Sequence, residues 1–151
     1  MDQSPYYRKI RQWQHQIQAE GWSAALVDKV VKQARCLTHY EMDFEDDWLT
    51  PKAFIQAGFR GDCEDIAIFL MGTLKRLSYP YKVRVLVIED FFADHAQLKV
   101  EMPDRHWKFY ESTRNGAYSA RPAAWKPIVE FDENTIIYHA SSEKSRTASI
   151  R

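Results

Sequence analysis

Residues 61–77 read GDCEDIAIFLMGTLKRL. Ile66, Ala67, Leu70, Met71, Leu74 and Leu77 recur at the three- and four-residue spacing of one helix face. Cys63 stands just ahead of that face, which places its thiol in the first helical turn. Backbone N–H groups there have no partner inside the helix and lie at the positive end of the macrodipole. Both effects favour the thiolate, the form that attacks a carbonyl carbon. Asp62, Glu64 and Asp65 act the other way, because neighbouring carboxylates raise the pKa of a thiol. A cysteine in this setting needs an imidazolium close by to become a nucleophile.

The chain supplies one well-placed histidine. From Tyr81 onward the pattern changes from helical spacing to alternation: Val83, Val85 and Val87 define one strand. Residues 94–100 form a second, with His95, Gln97 and Lys99 on one face and Ala96, Leu98 and Val100 on the other. A turn at Met102-Pro103-Asp104-Arg105 leads to a third strand over 106–111, ended by Glu111. If the turn centres on Pro103, His95 and Glu111 are direct cross-strand neighbours, about 5 Å apart. Glu111 then accepts the ring N–H of His95, fixes its tautomer and stabilises its charged form. His15, His39, His106 and His139 read as surface or satisfied residues.

Upstream, Tyr6, Ile10, Trp13 and Ile17 mark a first helix stopped by Gly21. Ser23 caps a second one with Leu26, Val27, Val30, Val31, Ala34 and Leu37 on its apolar face. Cys36, near its end, reads as a small buried thiol. Thr50-Pro51 reads as the cap and first residue of a short helix. Residues 40–49 are an acidic loop with Glu41, Asp43, Glu45, Asp46 and Asp47, a solvated surface or, with Asp62 and Glu64, oxygen ligands for Ca²⁺. Asn115-Gly116 signals a turn, and 128–129 and 136–138 add short strands. Helices first and an antiparallel sheet afterwards give an α+β domain with helices packed on one side. One domain spanning 1–140 is expected, with 141–151 a flexible polar tail.

Composition bounds the function classes. The 151 residues are 45% hydrophobic and 14% aromatic, enough for a real core. Lys+Arg and Asp+Glu number 21 each, so no global field attracts nucleic acid or an anionic membrane. No stretch approaches the ~18 apolar residues of a membrane span. With no signal segment at its start, the chain is expected in the cytoplasm, or in the periplasm if a signal has been removed. Two cysteines make no disulfide framework.

Trp48-Leu49-Thr50-Pro51, the GDCED segment at 61–65, His95, and Trp107 with Glu111-Ser112-Thr113 together resemble the transglutaminase-like superfamily, in particular its bacterial cysteine proteinases. The likeness covers roughly residues 40–115. It implies a papain-like core, a nucleophile helix on an antiparallel sheet that carries the other two catalytic residues. It also implies hydrolysis or transfer at an amide of a protein or peptide. One branch depends on calcium bound by the acids either side of the cysteine, positions matched here by Asp62 and Glu64. The third catalytic residue in these proteins is usually Asp, whereas Glu111 is one methylene longer.

The reading is therefore a cysteine-dependent amide hydrolase or acyl transferase with Cys63, His95 and Glu111 as the triad. The Cys63 N–H, helped by Trp48 or Gln56, steadies the oxyanion. No cofactor is required, and calcium is the candidate ligand. The alternative is a module of the same fold that binds without turning over.

Overall fold

The computed structural model describes residues 3–42, 48–89, 94–113, 117–118 and 125–139. The Asn115-Gly116 turn, the tail at 141–151 and the acidic residues at 43–47 lie outside them. Among the described residues, four helices come with two sheets. Helix α1 (Ser4–Glu20) ends at Gly21, whose φ of 75° suits a residue without a side chain. Helix α2 (Ala24–Arg35) is capped by the Ser23 hydroxyl, which accepts the Leu26 N–H at 3.1 Å. Helix α3 (Pro51–Gln56) is capped by Thr50, and α4 (Cys63–Arg76) carries the cysteine at its first position. No described helix is long and apolar enough to cross a membrane.

The main sheet is built from β3 (Val83–Glu89), β4 (Asp94–Glu101), β5 (Trp107–Glu111), β6 (Ala117–Tyr118), β7 (Lys126–Phe131) and β8 (Ile136–Tyr138). All its pairings are antiparallel, in the order β6-β5-β4-β3-β7-β8. Strand β7 thus returns across the sheet to pair with β3. The 128–129 run was a signal for a short strand but held none for that placement.

Alternation decides which face meets the helices. Val83, Val85, Val87, Ala96, Leu98, Val100 and Tyr110 join Ile66, Ala67, Leu70 and Leu74 of α4 in one buried core. Helices α1 and α2 complete that layer, tied by Tyr6 Oη to Thr73 Oγ1 at 3.0 Å and by Trp13 Nε1 donating to Gln33 at 2.8 Å. The opposite face carries a smaller apolar cluster of Leu86, Ile88 and Phe109. This is the α+β, papain-like arrangement expected from the sequence.

Three details differ from expectation. A two-residue parallel pair, β1 (His39–Tyr40) with β2 (Arg60–Gly61), draws the chain after α2 alongside the start of α4. Two residues leave no periodicity to read. Cys36 is exposed, because α2 ends at Arg35 and the thiol falls on the cap rather than on the apolar face. The β4–β5 register is also two residues from the expected one. Arg105, with φ 73°, closes a turn in which its N–H reaches the Met102 carbonyl at 2.7 Å and Met102 N–H reaches His106 at 2.8 Å. The hairpin therefore centres on Asp104, and Glu111 lies opposite Gln97 instead of His95.

Candidate active site

The start of α4 is fixed by a reciprocal cap. Asp62 accepts the Asp65 N–H at 3.1 Å, and Asp65 accepts the Asp62 N–H at 3.1 Å. The second oxygen of Asp65 takes the Leu49 N–H at 2.7 Å, tying the segment before α3 to the same corner. Gly61 is required for this, since a Cβ there would lie 2.7 Å from the Asp65 Cβ. The outcome is a rigid mount for Cys63.

The Cys63 sulfur is half-buried, with the backbone N–H of Ala96 within hydrogen-bonding reach. Ala96 follows His95 on β4, so the sulfur meets the sheet beside the imidazole-bearing residue. Its hydrogen is donated to Glu64 Oε2 at 3.2 Å. Burial pushes the thiol up from 9.0 to about 12, with Glu64 and Asp62 adding to the rise and the Ala96 N–H opposing it. In this state the group is a thiol.

His95 Nε2 lies 2.5 Å from Glu111 Oε2, with the ring 19% exposed and the carboxylate 4%. Nδ1 is the ring nitrogen that Glu111 does not engage. The two-residue slip keeps both side chains on one face, since side chains alternate with period two. It sets them on a diagonal, about 7–8 Å apart at the backbone instead of about 5 Å. Glutamate has the length to cross that diagonal, so the extra methylene relative to aspartate is what the register calls for.

Two residues that the sequence reading did not assign to the site also hold Glu111. Gln97 Nε2 donates to Glu111 Oε1 at 2.7 Å from a fully buried position. Arg35 Nη1, from the last residue of α2, donates to the Glu111 carbonyl at 2.7 Å. Ser112 Oγ donates to the Ala96 carbonyl at 2.8 Å and fastens the strand ends. Gln97 shares the polar face of β4 with His95, a signal available in the sequence. Arg35 looks like an ordinary basic residue of a helix C-terminus, and nothing local marks it as buried.

Trp48 and Gln56 are placed elsewhere. Trp48 stacks on Phe131 with centroids 5.3 Å apart and lines an apolar cavity of about 500 Å³ with Ile68 and Met71. Gln56 lines a cleft with Gly72, Lys75 and Arg76, the end of α4 opposite to Cys63. Neither shares a described contact with the sulfur.

Asp62 and Glu64 supply carboxylate oxygens suited to a hard cation. Burial and the charge of Glu64 push Asp62 up to about 6, so the pair is a like-charge site short of compensation. Among the described residues no group of three or more His, Cys, Asp or Glu side chains is arranged to hold a metal.

No protein-family model and no curated protein sequence matches the chain. Solved structures do. Legionella pneumophila LapG matches with a TM-score of 0.60 at 27% identity, over 74% of this chain and 65% of that one. Calcium-bound LapG from the same organism matches at 0.60 and 22% identity, over 88% of each chain. A proposed cysteine protease from Cytophaga hutchinsonii matches at 0.56 and 15% identity, over 76% of this chain and 40% of that one. This chain thus spans about two thirds of the LapG chain named first.

Proposed function

We propose that the chain is a cysteine-dependent amide hydrolase, peptidase-like in chemistry, with Cys63 as nucleophile. One observation carries the reading: the Cys63 sulfur meets β4 at Ala96, the residue after His95, whose Nε2 is held by Glu111. The shared architecture with LapG and the Cytophaga protein supports the class.

The chemistry follows from the parts. His95 Nδ1 takes the Cys63 proton, and the charged ring is stabilised by Glu111 through Nε2. The thiolate attacks the amide carbon, and the developing oxyanion meets the Cys63 N–H, a first-turn amide with no partner in its own helix. His95 returns the proton to the leaving amine and leaves a thioester. Water then releases a carboxylate, whereas an acceptor amine gives transfer. Calcium is the proposed ligand of Asp62 and Glu64, where a divalent cation would offset the two charges that add to burial in keeping Cys63 protonated. The substrate is a protein or peptide.

The resting S–H bond to Glu64 favours a second reading, a binding module with a silent thiol. Labelling with a chloroacetamide probe at neutral pH, with calcium present, separates the two. The hydrolase reading expects fast modification of Cys63 that His95→Ala abolishes. A rate no faster than that of exposed Cys36 leaves the silent module.

A further inference from the structure

Both carboxylate oxygens of Glu111 accept a side chain of β4: Oε2 that of His95 at 2.5 Å and Oε1 that of Gln97 at 2.7 Å. We propose that Gln97 is a positioning residue of this site, its side-chain amide pinning one oxygen of Glu111 so that the other stays on the imidazole. The inference rests on the nucleophilic role proposed for Cys63 and adds a fourth side chain to it.

The register makes the assignment. Glu111 is directly opposite Gln97, and His95 lies one diagonal step away on the same face. A glutamate reaching along that diagonal has a rotatable bond that an aspartate lacks, so a second hydrogen bond narrows the orientations its carboxylate can take. The Gln97 donor supplies that second bond on Oε1. On the other flank of β4, Leu86 lies opposite Gln97 and Ile88 opposite His95, both buried. With apolar walls so near, water cannot replace a missing donor cheaply.

Packing alone does not account for a glutamine here. The side chain is fully buried beside an apolar cluster, where a residue of similar shape without polar atoms would fill the space. Its Oε1 has no partner among the described residues, so its one side-chain hydrogen bond there is the donation to Glu111. A buried amide that keeps an unsatisfied oxygen is costly, and what it supplies in return is a donor aimed at this carboxylate. That donor favours the ionised form of Glu111, the form able to stabilise a charged His95.

The test is site-resolved alkylation of Cys63 by iodoacetamide across pH, in a Cys36→Ser background with calcium present. Five chains are compared: the background, Gln97→Met, Glu111→Gln, the double variant of those two, and His95→Ala. A positioning role moves the alkaline inflection of the Gln97→Met profile, where the imidazolium beside the thiolate loses its proton, about one pH unit lower, the size of one hydrogen bond to a charged group. The double variant then matches Glu111→Gln alone, because Gln97 acts only through that carboxylate. A Gln97→Met limb that superimposes on the background, or a shift that adds in full to that of Glu111→Gln, overturns the proposal. A background profile with no His95-dependent plateau sinks the nucleophile reading itself. If Gln97→Met does not fold, the unsubstituted chain still decides. Under this proposal one ¹⁵N-labelled Gln97 side-chain proton exchanges slowly and its shift follows the titration of His95. A fast-exchanging amide with no such response overturns it.

Discussion

Replacing Glu64 with glutamine tests whether the acid beside the nucleophile restrains it. The carboxylate accepts the Cys63 hydrogen at 3.2 Å, and after burial it is the largest cause lifting the thiol to about 12. Two unit charges at that separation repel by about 1.3 kcal/mol even at the dielectric of water, close to one pH unit. Glu64→Gln keeps the shape and removes the charge, so at fixed pH below the thiol midpoint the thiolate population rises at least about tenfold. The assay is the rate of Cys63 alkylation by iodoacetamide between pH 7 and 9 in chelator, read by mass spectrometry so that Cys36 is scored separately. Calcium should accelerate the wild-type chain more than the variant, because one of the two charges that the ion offsets is gone and one of its two ligands with it. An unchanged or slower rate in chelator refutes the reasoning, since Glu64 would then not be what holds the proton on sulfur.

Other perturbations probe the scaffold. Glu111→Asp shortens the acid on a diagonal that needs its length, and the alkylation rate at neutral pH should fall at least tenfold while the melting temperature changes little; equal rates would mean that reach is irrelevant. Burial raises the carboxyls of Asp62 and Asp65 to about 6, against about 3.9 in an unfolded chain. The folded state therefore binds more protons between those values, and stability in chelator should fall as pH climbs from about 4 through 6, levelling off above that. Calorimetry in which Asp62→Asn leaves that slope intact would count against the assignment. Gly61→Ala forces the Asp65 side chain from its cap and should lower both the melting temperature and the alkylation rate, whereas an unperturbed chain would show that the close approach is easily relieved. Leu70→Ala, deep under the sheet, should cost about 3 kcal/mol by denaturant titration; a cost under 1 kcal/mol would mean that the helix–sheet core is not packed as described.

Much of this arrangement was legible in the residues because it is local. The apolar face of α4, the Ser23 and Thr50 caps, and the alternation of β3 and β4 each depend on spacing within one element, and each formed where the spacing put it. Parity carried His95 and Glu111 to one face even though the turn was placed a residue early. A hairpin centred one residue later moves the register by two and preserves which face each side chain uses. The left-handed backbone at Arg105, which sets that centre, carries no glycine or asparagine to announce it. Arg35 was invisible because its partner lies 76 residues away, and the return of β7 to β3 is likewise long-range. Glu64 was read as a charge and a cation ligand; that it accepts the thiol hydrogen follows from a side-chain geometry no spacing encodes.

The most direct measurement is the pH dependence of Cys63 alkylation in calcium-loaded chain with Cys36 replaced by serine. A proton shared between Cys63 and His95 predicts a reactive plateau bounded by two inflections, reached below pH 7 and erased by His95→Ala. A single rise toward pH 12, identical in the His95→Ala chain, contradicts the account.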